Sequence, residues 1–146
     1  MALEKRGDAW FGEHQADIRT EIARYSALVG YVATHFADGE CACGSRLFEL
    51  SLDEAEGAAV RVCASCATEH PIGDSAEYLA QAQLEACECP CEARDMEITV
   101  GVSLYADSED VCWIYLGCRC PRCDRVAVYG DWKNEFEGYQ ELLAKA

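Results

Sequence analysis

An α+β fold is expected for this chain: an N-terminal amphipathic helix, then two tandem cysteine-bearing β units, each ending in an Asp-capped helix. Three observations predict it. Apolar residues recur at helical spacing ahead of the first cysteine, two later stretches align with each other cysteine for cysteine, and each aligned stretch encloses a hairpin-like segment.

The helix is read over 13–38. Within "ADIRTEIARYSALVGYVATHFADGE", Ile18, Ile22, Tyr25, Leu28, Val29, Val32 and Phe36 recur at steps of three and four, and Asp38-Gly39 stops the run. About 20 helical residues would span about 30 Å. No Pro- or Gly-rich linker follows, so the apolar stripe is expected to pack on the β units within a single domain, 1–146.

The repeat is carried by two pairs of segments. "CACGSRLFELSL" (41–52) aligns with "CPCEARDMEITV" (89–100), matching Cys41 to Cys89, Cys43 to Cys91, Arg46 to Arg94 and Glu49 to Glu97. "CASCATEHPIGD" (63–74) aligns with "CPRCDRVAVYGD" (120–131), matching both cysteines and the closing Gly-Asp. The units are placed at 39–86 and 87–146. In the first, "RLFELSL" and "AAVRVC" flank the turn "DEAEG"; in the second, "DMEITVGVSLY" and "VCWIYLGC" flank "ADSED". The second hairpin is the longer, with 29 positions from Cys91 to Cys120 against 20 from Cys43 to Cys63. The hairpins are expected to pack about a pseudo-two-fold axis, burying "FELSL" against "MEITV". Asp74 and Asp131 are read as N-caps of helices over "SAEYLAQAQLEA" and "WKNEFEGYQELLAKA", the second with Phe136, Tyr139, Leu142 and Leu143 on one side.

Composition narrows the function. The formal charge of -15, from 27 acidic and 12 basic residues, opposes non-specific nucleic-acid binding, which depends on Lys and Arg neutralising phosphates. It suits solubility and a basic partner. No stretch approaches the about 20 apolar residues of a membrane span, and "MALEKRGDAWFGEHQ" lacks a signal-peptide core, so a cytoplasmic location is expected. Thiols stay reduced there, which turns the 11 cysteines into candidate metal ligands.

Two cysteines at a tight turn aim both sulfurs at one point, and two such turns complete a tetrahedron. The pattern resembles the zinc ribbon, present twice between Cys41 and Tyr129, and "CPRC" is similar to a rubredoxin-type knuckle. The first knuckle of each unit departs from it, being C-x-C where the commoner ribbon has C-x-x-C. The resemblance implies two structural Zn2+ ions, one on Cys41, Cys43, Cys63 and Cys66, the other on Cys89, Cys91, Cys120 and Cys123. Cys87 or Cys118 is an alternative ligand at the second site, and Cys112, inside "VCWIYL", reads as a core residue.

Arg119, Arg122 and Arg125 flank the last knuckle. They are expected to donate N–H groups to the sulfurs, or to form a small basic contact spot. His14, His35 and His70 are the only histidines, and no P-loop, G-x-S-x-G, G-x-G-x-x-G or H-E-x-x-H motif occurs, so no reaction is named. The expected function is that of a non-catalytic acidic module that binds another protein. Its client would be basic, such as a nucleic-acid-acting enzyme or toxin that it neutralises or regulates. Trp132 is the first-choice aromatic anchor. Two alternatives stand beside this reading: a nucleic-acid-associated ribbon using the three arginines, and a thiol- or metal-responsive regulator.

Overall fold

The computed structural model describes residues 3–134 and 137–146. They fold mainly as one large antiparallel sheet, which replaces the expected helix-first α+β arrangement. In chain order the elements are β1 (Glu4–Arg6), β2 (Ala9–Phe11), α1 (Ala16–Val29), β3 (His35–Asp38), β4 (Phe48–Asp53), β5 (Ala58–Cys63), β6 (Glu69–Pro71), β7 (Glu85–Ala86), β8 (Asp95–Leu104), β9 (Val111–Arg119), β10 (Arg125–Lys133) and α2 (Tyr139–Leu143). The sheet runs β1-β2-β10-β9-β8-β4-β5-β6, with β3 on β8 and β7 on β4.

A hairpin, not a helix, comes first. Arg6 pairs with Ala9 across the two-residue loop Gly7-Asp8, and Gly7 takes φ 63 as such tight loops require. The helix that follows is shorter than 13–38. Gly30 adopts φ 104 and returns its N–H to Ser26 O, a left-handed stop that Val29 could not make. Phe36 then belongs to β3, whose edge pairing with β8 outcompetes helix continuation.

The two Asp-capped helices also give way. After Asp74 there is one 3-10 turn, Ser75–Glu77, and the Asp74 carboxylate instead accepts 2.6 Å from Asn134 Nδ2. Beyond that turn Tyr78 and Leu84 are exposed, and a helix without a buried apolar face is marginal. Asp131 lies inside β10, where its carboxylate accepts from Trp113 Nε1 at 2.8 Å and Tyr25 Oη at 3.1 Å. Among the described residues of the expected last helix only Tyr139–Leu143 is helical; Glu135 and Phe136 lie outside the described residues.

The repeat is written into the strand registers. In the first unit Phe48, Glu49, Leu50, Ser51 and Leu52 face Cys63, Val62, Arg61, Val60 and Ala59. In the second the aligned Glu97, Ile98, Thr99 and Val100 face Arg119, Cys118, Gly117 and Leu116, the aligned partners. The third strands agree too: Val62↔Glu69, Arg61↔His70 and Val60↔Pro71 match Arg119↔Val126, Cys118↔Ala127 and Gly117↔Val128.

The halves meet at Phe48↔Met96, two aligned residues paired with each other and both fully buried, so a pseudo-two-fold axis passes between them. The arms ahead of each knuckle cross this axis reciprocally. Gly39 N–H donates to Ile98 O, and its counterpart Cys87 N–H donates to Leu50 O. Asp38↔Thr99 is answered by Ala86↔Ser51. Each unit thus lends its leading strand to the other.

Helix α1 breaks the symmetry by lying across β8, β9 and β10. Ile18 and Ile22, both fully buried, seat on Gly101 and Gly117, where a Cβ would fall 2.8 Å from Ile22 Cγ2 and 2.5 Å from Ile18 Cγ2 respectively. The principal core, around Phe48, Leu50, Met96 and Leu116, lies between the ribbons and is closed by Trp132 and Leu142.

Candidate metal centres

The eight cysteines assigned from sequence fall into two groups of four, and in each group the sulfurs lie within 4.8 Å of one another. Cys41 Sγ is 3.6 Å from Cys66 Sγ, and Cys43 Sγ is 3.6 Å from Cys63 Sγ. The counterparts Cys89–Cys123 and Cys91–Cys120 stand at 3.5 and 3.6 Å. A disulfide would bring sulfurs to about 2.05 Å. Four metal–sulfur bonds of about 2.3 Å define a tetrahedron with edges of about 3.8 Å. The donor sets therefore fit a four-thiolate ion, and all eleven cysteines are unbridged.

Local backbone chemistry explains how a C-x-C turn does the work of the commoner spacing. Gly44 N–H donates to Cys41 O at 2.8 Å, and Glu92 N–H to Cys89 O at 2.7 Å. Both donors take positive φ, 94 and 76, which reverses the chain in one step. The C-x-x-C turns match as well. Ala67 N–H reaches Cys63 O at 2.9 Å and Asp124 N–H reaches Cys120 O at 2.8 Å, again with positive φ at each donor, 63 and 70.

Amides of the turns point at sulfur and favour thiolate. Those of Cys66 and Ser65 hold Cys63 down to about 6, and that of Ala93 holds Cys91 down to about 7. The Thr68 hydroxyl, 3.1 Å away, lowers Cys66. The two sites differ in cover: Cys43 and Cys66 are exposed, whereas Cys91 and Cys123 are half-buried.

Cys87 and Cys118 stand outside the second group of four. Cys118 is fully buried opposite Ile98, and burial pushes the Cys87 thiol up to about 11. Cys112 is buried and its thiol donates to Ser103 Oγ at 3.5 Å.

The arginines do not donate to sulfur. Arg119 points inward, giving hydrogen bonds to Gly12 O at 2.7 Å, Glu97 Oε1 at 2.8 Å and Asp124 Oδ1 at 2.7 Å. Arg125 donates to Tyr129 Oη at 3.3 Å, and Arg122 is exposed on the knuckle. Trp132 is 7% exposed, its indole against Gly57. His70 meets Lys145 O through Nε2 at 2.9 Å.

Sequence reading missed a surface. Residues 27–32, "ALVGYV", are all exposed, and the Tyr31 ring stacks on Trp113 with centroids 4.9 Å apart and planes 7° from parallel. The signal was Gly30, an interruption in an uncharged run that was read as continuous helix.

No protein-family model, no curated protein and no solved structure matches the chain. The class is therefore defined by geometry: a duplicated module with two four-cysteine sites able to hold metal. No helix among the described residues is long and apolar enough to cross a membrane.

Proposed function

We propose that this chain is a zinc-stapled, non-catalytic binding module whose client is a basic protein. Four sulfurs close each ion's coordination, leaving no position for water or substrate, so the ions serve the fold. The observation that carries the binding role is the exposed run 27–32. In a chain with 27% charged residues it holds none, and Leu28 is 76% exposed. Contiguous apolar surface of this kind marks interaction sites. It is also held in place: Tyr115 Oη donates to Tyr31 O at 2.6 Å, and Tyr31, Trp113, Tyr105, Cys112 and Lys133 line an adjoining cavity of about 190 Å³. The net charge of -15 supports a basic client.

A nucleic-acid role draws less support, because Arg119 is consumed by internal ion pairs and two of its neighbours are Glu97 and Asp124. Affinity capture from a native lysate tests the reading, with zinc-loaded protein beside its Tyr31→Ser variant and mass spectrometry as readout. A basic protein enriched by the first and lost by the second is expected. Identical recovery by both, or no enriched protein, would overturn the proposal.

A further inference from the structure

The two halves share registers, so a place filled in one and open in the other is informative. In the second unit the outer edge of β10 is covered by β2. Trp10 pairs with Val126, Phe11 with Arg125, and Gly12 N–H donates to Asp124 O at 2.9 Å. The counterparts of Asp124, Arg125 and Val126 are Ala67, Thr68 and Glu69. All three are exposed, and β6 ends the sheet with no strand beyond it among the described residues.

The backbone there is turned outward in the same way. Thr68 O accepts from Cys63 N–H as Arg125 O accepts from Cys120 N–H, which directs Thr68 inward. Alternation then points the N–H and C=O of Glu69 away from β5. Pro71 has no N–H, so the strand presents its donor at Glu69. Such an edge accepts an extended segment through main-chain bonds.

We infer that the Ala67–Glu69 edge receives an extended, basic segment of a partner protein, in the place that β2 fills on the other half. The inference rests on the reading that the client is a protein. Charge follows from the register: where Val126 faces Trp10, Glu69 would face the incoming residue, and opposite charges across an antiparallel pair attract. The far end of the strand, His70 and Pro71, opens on a groove of about 690 Å³ whose walls carry Asp74, Glu77 and Glu137 against Lys145. A lysine- or arginine-bearing segment continuing along the strand meets Glu77 there, Asp74 being buried on Asn134 and Glu137 paired with Lys145.

The test is panning a display library of short random peptides on the zinc-loaded protein, then measuring enriched peptides against wild type, Glu69→Lys and Glu69→Pro. Proline deletes the outward N–H and leaves the ladder to β5 intact. Enriched sequences are expected to carry Lys or Arg, and affinity is expected to fall about tenfold in Glu69→Lys, the loss of one charge-assisted contact, and further in Glu69→Pro, which loses the carboxylate and the N–H together. Bound peptide should also slow amide exchange at Glu69 in the wild-type protein, a readout independent of whether the proline variant folds. Failure to enrich any peptide, unchanged affinity in both variants, or protection on another strand would overturn the inference. Panning needs no cellular client. Its failure beside a Tyr31-dependent capture would remove the edge and leave the client reading standing.

Discussion

Replacing Gly117 by alanine tests how α1 is held on the sheet. The repeat puts Val60 at the corresponding place, so glycine there is not a demand of the duplicated unit itself. At Gly117 a Cβ would stand 2.5 Å from Ile18 Cγ2, and 2.9 and 3.0 Å from Ile22 Cγ1 and Cδ1. Relaxed carbon contacts are about 3.5–4.0 Å, so the helix must retreat by about 1 Å. Ile18 and Ile22 are fully buried with Tyr115 and Val126 around them, and have little room to give. Overpacking of this kind costs about 1–3 kcal/mol. Relief of glycine's backbone entropy returns about 0.5–1 kcal/mol. The balance is a net loss of about 1 kcal/mol, which should lower Tm by about 2–4 °C in a chain of this size. The assay is thermal unfolding followed by circular dichroism with zinc present. Ile18→Ala deletes the nearest atom, so in that background the Gly117→Ala penalty should shrink. A Gly117→Ala protein melting at or above wild type, or an equal penalty in both backgrounds, would refute the reasoning.

Three further outcomes are expected. Arg119→Leu strips a partner from Glu97 and Asp124 and a donor from Gly12 O, so chemical denaturation should show a loss of about 2–3 kcal/mol, with bound metal unchanged. The double substitution Cys87→Ser with Cys118→Ala should still bind two ions by native mass spectrometry, since both sulfurs lie outside the groups of four. Acid should release metal. Cys63 and Cys91, at about 6 and about 7, lie below the ordinary thiol value of 9.0. Their thiolate form therefore stabilises the native state at high pH, and that contribution is lost as pH falls through those values, whereas Cys43 and Cys89, pushed up to about 11 and about 12 in the same groups, act in the opposite sense above 9. Metal extends the thiolate range downward, so a zinc indicator should report release below about 6. Release on raising the pH above neutrality would contradict this.

The two four-cysteine groups and the repeat were legible because sulfur spacing is a local constraint and duplication leaves residue-level matches. Cys41, Cys43, Cys63 and Cys66 group apart from Cys89, Cys91, Cys120 and Cys123 as the alignment implies, and even the unequal hairpins appear as six-residue β4 and β5 against ten- and nine-residue β8 and β9. The helices were misread where periodicity stood in for packing. Val32 and Phe36 continue the three-and-four pattern, yet Gly30 ends α1 and β8 offers the backbone at Phe36 an edge to pair with. Asp131 looked like a cap, but Tyr25 and Trp113, distant in sequence, claim its carboxylate. The β1–β2 hairpin did carry a local signal, Gly7-Asp8 between strand-length arms, which the dominant helical pattern downstream obscured. The crossing of the arms at Gly39 and Cys87 is a property of the paired halves and of neither alone.

Metal and thiol analysis of the same purified sample tests the central claim most directly. The account predicts two equivalents of zinc held by eight thiolates, with every cysteine recovered as free thiol after chelation and denaturation. One equivalent or none, or sulfurs recovered as disulfides within the two groups of four, would contradict it.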